Sequence, residues 1–315
     1  MNKRMGFLIP LLCLSLLTGS CSFSKSVYES VSEGLSNSYD SVFSDTPVLK
    51  KRVLVLPFMD QAGLGPEKVE AFTETFLSLL DNSGYYIIHR GSAVPSPQGR
   101  SRVPEFGIVI DPDAAKRAAE TGMNVMITAV FSPLDAKTRK KGLWPFRKVV
   151  ADVELPMIVN AYDVVNGTLL LTNLESVKLE TSVEEFDELF DEDPGKLKYE
   201  LDPEAVEKAW AKILERQAAA VNKKLGAQPW MGRVLSVNSE GALINAGKDV
   251  GLAEGDVFEV LGEAETIQSA SGRPVALMGP RIAELKVTEV MESQALTTPL
   301  TDAQLQAGQI IRIKR

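Results

Sequence analysis

Cysteine and histidine are nearly missing from this chain of 315 residues. There are two cysteines, Cys13 and Cys21, and one histidine, His89. All three lie in the first third, so the rest has no thiol or imidazole. That excludes a Cys/His zinc site and a disulfide framework in the body. His89 stands alone at the end of an apolar run and is expected to be a surface or satisfied histidine rather than a ligand. An excess of positive charge is also missing. The net charge is −8, so the global field repels nucleic acid and anionic membrane, and any such contact needs a local basic patch. No Ser/His/Asp order, metal-ligand spacing or paired-acid motif stands out. The expectation is a protein that is not an enzyme, with no cofactor, no metal and no nucleic-acid partner.

What is present begins with an export signal. "MNKRMGFLIPLLCLSLLTGSC" opens with Lys3 and Arg4, continues with an apolar run from Phe7 to Leu17, and ends in small residues before Cys21. Positive start, apolar middle and small-residue end predict a secretory signal over 1–20. The run is too short to cross a bilayer as a helix, which takes about 20 residues. The "LLTGSC" end resembles a bacterial lipobox, with Thr18 where leucine is commonest. That resemblance implies lipidation of Cys21, loss of Cys13 with the signal, and, because Ser22 follows, residence on the periplasmic face of the outer membrane. Residues 21–47 are serine-rich and read as a tether. Val27, Val31, Leu35 and Tyr39 recur at helical spacing, so a short amphipathic helix is the alternative.

Residues 48–226 read as an α/β domain. "RVLVLPFM" predicts a strand over 52–59. "PEKVEAFTETFLSLLDNSG" predicts a helix with Pro66 in its first turn and Gly84 at its stop. "YYIIHR" and "NVMITAVF" are further strands, with a short helix over 111–122 between them. Asn166-Gly167, flanked by two β-branched runs, predicts a hairpin of two long strands. "DPEAVEKAWAKILERQAAAVNKKLG" predicts an amphipathic helix capped by Asp202, with Trp210 as a core anchor. The order is a mixed sheet with packed helices. These strands and the "AYDVVNGTLLLT" hairpin resemble the periplasmic core of CsgG-type curli-assembly lipoproteins, the N-terminal domain of TolB and the middle domain of flagellar assembly protein T. CsgG-type proteins form a pore with long membrane hairpins. The corresponding segments here, 135–148 and 181–200, are densely charged, and placing such charges in lipid costs several kcal/mol each, which argues against a pore.

The first of those segments, "DAKTRKKGLWPFRK", reads as a basic loop carrying Trp144 and Phe146 amid Arg139, Lys140, Lys141 and Arg147. Aromatics among cations suggest a contact site for anionic lipid, peptidoglycan or protein. The alternative is that Trp144 and Phe146 fold back onto the sheet. The acidic run in 181–200 reads as a solvated face.

From residue 231 to 315 the pattern changes to five or six short strands with turn signals, a small all-β barrel or sandwich. "INAGKDVGLAEGDVFEV" contains Gly247, Gly251 and Gly255 with Lys248 after the first. A phosphate loop needs Gly-Lys-Ser/Thr opening a helix after a strand. Here Asp249 follows the lysine, so the glycines are expected to supply positive-φ turns. "GRVLSVNSEGALINAGKDVGLAEGDVFEV" and the strands after it resemble the C-terminal domain of flagellar assembly protein T. That resemblance implies an SH3-like β-barrel that mediates assembly contacts without catalysis.

The functional expectation is a lipid-anchored periplasmic lipoprotein, an assembly or scaffolding factor for a flagellar or secretion apparatus. Its expected partners are envelope-assembly proteins, peptidoglycan or further copies of itself. The alternatives are a CsgG-type secretion-channel component and a lipoprotein activator of peptidoglycan synthesis.

Overall fold

The first apolar run does not form one strand. In the computed structural model β1 (Lys51–Val55) ends ahead of Pro57, and β2 (Met59–Asp60) is a separate two-residue strand. Proline has no N–H to give to a ladder, so a continuous central strand over 52–59 is ruled out by its own sequence. The structure describes residues 48–91, 117–182, 201–263, 265–268, 274–276 and 278–314. Cys21, the tether and the acidic run after residue 182 lie outside them. Val48–Arg315 is one compact unit.

β1 lies between β3 (Tyr86–Arg90) and β4 (Val125–Phe131), parallel to both. Between β2 and β3, α1 (Pro66–Asp81) begins at the predicted proline. Its entry is organised by Asp60, whose carboxylate accepts from the backbone N–H groups of Ala62, Leu64 and Gly65. Burial pushes the Asp60 carboxyl up, but these N–H groups outweigh it and hold it below its ordinary value. Of the helix predicted over 111–122, residues 117–122 are described; 117–120 are helical and 121–122 form the turn that ends it.

The long hairpin is present as predicted and organises the sheet. β6 (Lys148–Asp163) and β7 (Thr168–Ser182) turn at Gly167, which has φ 68°. β7 pairs with β6 along nearly its whole length. On the opposite edge of β6, residues 157–163 pair with β4 and residues 148–154 with β5 (Asp135–Lys141). The basic loop of the sequence reading is therefore a strand and a tight turn. Paired with β6, its polar side chains alternate on a ladder that needs no apolar pattern of its own.

Alternation along β6 sends Ala151, Val153, Leu155, Met157, Val159 and Ala161 into the core. α2 (Pro203–Gly226) covers that face with Trp210, Ile213, Leu214, Val221 and Leu225, all fully buried. Its N-terminus is capped as predicted, Asp202 accepting from Glu204 N–H. One buried polar side chain, Gln217, pins the helix to the sheet. Its amide donates to Met157 O at 2.7 Å, and its oxygen accepts from Asn173 at 3.0 Å.

After α2 the chain forms a closed antiparallel barrel in the order β10-β13-β14-β9-β8-β15. These are β8 (Met231–Asn238), β9 (Gly241–Ile244), β10 (Val257–Leu261), β13 (Arg281–Val290), β14 (Ala295–Pro299) and β15 (Ile310–Ile313). Two further short strands, β11 (Thr266–Gln268) and β12 (Pro274–Ala276), pair with each other outside the barrel. Phe258, Val260, Leu285 and Ile311 fill its interior, and Trp230 meets Phe258 edge-on at 5.8 Å. Leu49, from the N-terminal side of β1, is part of this barrel core.

Candidate functional site

At the far end of the hairpin arm, β5 and β6 are joined by a turn built on Gly142. Its φ is +109°, and Phe146 N–H donates to Leu143 O at 2.7 Å. Only a residue without Cβ fits there, because an added Cβ would sit 2.9 Å from Phe146 O. The turn displays Leu143, Trp144 and Phe146 at 86%, 81% and 83% exposure. Neither aromatic folds back on the sheet. One face of the strands beside the turn is taken by an ion-pair ladder.

That ladder accounts for part of the basic cluster. Arg139 donates to Asp152 at 2.6 Å and to Glu180, and Lys141 donates to Glu180 at 2.7 Å. The Arg139 hydrogen bond lowers the Asp152 carboxyl, and the Lys141 hydrogen bond lowers Glu180. Exposed pairs of this kind contribute little stability, but they fix where the cations point. Lys140 alternates to the other face of β5. Arg147 and Lys148 are exposed and have no ion pair among the described residues. Lys141 and Lys148 are direct cross-strand neighbours, the last pair before the turn. The structure therefore gathers Trp144, Phe146, Arg147, Lys148, Lys141 and Arg139 at one end of the arm.

His89 is the last residue but one of β3 and is exposed. Among the described residues no group of three His, Cys, Asp or Glu side chains is placed to hold a metal, and no helix is long and apolar enough to cross a membrane.

The glycine stretch of the barrel has a different use. Gly251 and Gly255 have φ of +88° and +94°, as the turn reading requires. Gly247 does not: its φ is −147°, which is extended. It is small because an added Cβ would run into the backbone of Glu292 and Gln294. Lys248–Val250 forms one 3₁₀ turn, and Asp249 on it receives Arg52 of β1. The guanidinium donates to both Asp249 oxygens, Nε to Oδ2 at 2.8 Å and Nη2 to Oδ1 at 2.9 Å. It also donates to Asn245 O at 2.7 Å and Ser293 O at 3.2 Å. Around this fork, Lys50 N–H donates to Val250 O, Trp230 Nε1 donates to Lys50 O, and Asn124 Nδ2 donates to Met231 O. The stretch holds the barrel against the sheet. Gly255→Val should cost more than about 1 kcal/mol, since a β-branched residue is strained at that φ. Lys248→Ala should change the melting temperature little, because Lys248 is exposed. Thermal unfolding of both variants, with and without nucleotides, checks this. A nucleotide-induced rise abolished by Lys248→Ala would restore the phosphate reading.

Sequence reasoning missed this latch. Arg52 opens an apolar strand and Asp249 sits in a turn 197 residues away, so no local pattern connects them. The one signal was a charge leading a strand that is otherwise apolar.

No protein-family model and no curated protein sequence matches the chain. Solved structures share a distant likeness. The CT253 protein from Chlamydia trachomatis is 14% identical, with a TM-score of 0.34, over 57% of this chain and 99% of that one. The PelC dodecamer from Paraburkholderia phytofirmans is 11% identical, TM-score 0.29, over 59% and 95%. Lipoprotein GNA1162 from Neisseria meningitidis is 11% identical, TM-score 0.27, over 56% and 99%.

Proposed function

We propose that this chain is a non-catalytic lipoprotein, anchored through Cys21 on the periplasmic face of the outer membrane. It serves there as a scaffold for assembly of an envelope machine of the flagellar or secretion class. The observation that carries the reading is the exposed arm tip. A side-chain cluster of three large apolar residues and adjacent cations, held by a defined turn, is built to touch something rather than to transform it. The export signal and the cysteine at its end support the anchor, and the small closed barrel supports an assembly role.

Cys21→Ser is expected to leave the chain unprocessed or freely soluble, without the acyl mass of the wild type. A variant that still fractionates with the outer membrane at an unchanged mass removes the anchor. A photocrosslinking residue at position 146 in intact cells should trap an envelope component. Stable conductance of the purified protein in planar bilayers would replace the scaffold with a channel.

A further inference from the structure

The arm tip carries a more specific assignment, which deepens the contact-site reading above. We propose that the turn Leu143–Phe146 is a wedge that enters the headgroup layer of an anionic lipid leaflet, with Arg147, Lys148 and Lys141 as its collar.

Three observations point to lipid rather than protein. The first is shape. Leu143, Trp144 and Phe146 project from a hairpin turn at more than four-fifths exposure. A convex tip offers no groove to a partner and would need a matching pocket on it, whereas a leaflet deforms around whatever enters. The second is chemistry. An indole flanked by aliphatic and phenyl groups, with lysine and arginine just behind, is the composition that settles at a membrane–water interface. The third is charge. Lys141 and Lys148 face each other across the ladder. Like charges in that position are unfavourable, and Glu180 binds Lys141 alone of the two among the described residues. Arg147 and Lys148 add charge that has no anionic partner among the described residues, in a chain whose net charge is −8. Lipid phosphates supply that anion next to an apolar layer.

The wedge is shallow. A strand that crosses the hydrocarbon needs about 9–11 residues, and the apolar segment here is a single turn closed off on both sides by lysine and arginine. It fixes how the body meets the surface, and it does not perforate it.

The protein carries its own reporter. Of its three tryptophans, Trp210 and Trp230 are 0% and 3% exposed, while Trp144 is 81% exposed. The purified full chain is mixed with vesicles of equal parts phosphatidylglycerol and phosphatidylethanolamine whose acyl chains carry bromine. Trp144 emission is expected to shift to the blue and to be quenched, and Trp144→Phe should remove the quenched component. Arg147→Glu with Lys148→Glu should weaken the effect by about tenfold or more, as expected for charges at an anionic surface. Both variants alter exposed side chains, and circular dichroism verifies that they fold. An unquenched Trp144 on the anionic vesicles overturns the proposal, and equal quenching on phosphatidylcholine vesicles overturns the requirement for anionic lipid. A tip buried between two copies of the chain in lipid-free solution also overturns it. The mass at Cys21 is read in the same sample. An acylated chain that floats with the vesicles while Trp144 stays unquenched sinks the wedge and leaves the anchored scaffold intact. Quenching of an unacylated chain supports the wedge while removing the anchor.

Discussion

Replacing Arg52 with methionine should lower the stability of the purified protein by about 3–5 kcal/mol, the cost of breaking a buried ion pair by deleting one partner. The Arg52 side chain is 7% exposed and that of Asp249 is 23% exposed. Some water reaches the carboxylate, which favours the lower end. Methionine fills much of the space but gives Asp249, Asn245 O and Ser293 O no donor, so three acceptors lose their partner at once. Lysine keeps the charge yet cannot make the two-pronged contact, and Arg52→Lys should fall between. Urea unfolding checks this with hydrogen exchange read separately over the sheet layer with its helices and over the barrel strands. The wild-type transitions should coincide. In Arg52→Met they should separate, because the latch ties the barrel core to the sheet. A loss below about 1 kcal/mol, with the transitions still superposed, would show that the remaining seam contacts suffice.

Trp210→Ala should cost about as much, 3–5 kcal/mol on the scale of large-to-small core substitutions. The Trp210 indole is fully buried, edge-on to Phe131 at 5.1 Å and tilted against Phe72 at 6.0 Å. Alanine would leave a cavity bounded by two elements, since Phe131 comes from β4 and Phe72 from α1. Trp210→Phe should cost less than half as much. It keeps a ring for Phe131 to meet, and it removes an indole N–H that finds no acceptor among the described residues, a donor whose burial itself costs about 1–3 kcal/mol. Equal losses in the two variants would mean that ring packing is not what holds α2 to the sheet. Thermal and urea unfolding of both variants decide it.

The layout of the fold was readable wherever a single periodic pattern governed a segment. The Asn166-Gly167 hairpin, the Asp202-capped helix and the six barrel strands follow from alternation, capping residues and turn residues that act within a few positions. β5 was not readable, because "DAKTRKK" is polar but for Ala136. It becomes a strand only because β6 offers a free edge, and a partner is a tertiary fact. The same holds for the tip. The sequence marked Trp144 and Phe146 as aromatics among cations, but two outcomes remained open. The structure leaves both aromatics over four-fifths exposed, on a turn behind which the ion pairs of Arg139, Lys141, Asp152 and Glu180 join three strands, and such pairings are tertiary facts. Gly247 was misread for a related reason. Glycine tolerates both positive φ and close backbone approach, and only the neighbouring Glu292 backbone shows which freedom is used.

Arg52 also has a consequence for the order in which this molecule completes itself. Its partners Asn245, Asp249 and Ser293 lie 193, 197 and 241 residues further on. β1 can pair with β3 and β4 as soon as those strands exist, but the guanidinium then lacks all three of these acceptors and stays in water. Closing loops of that length is slow, and during synthesis the N-terminal part of a chain is free to fold first. A partly made chain therefore carries an unpaired charge in its first strand. Covering that strand with anything but the barrel would bury the charge without an anion, which is costly, so this seam stays open until the barrel fills it.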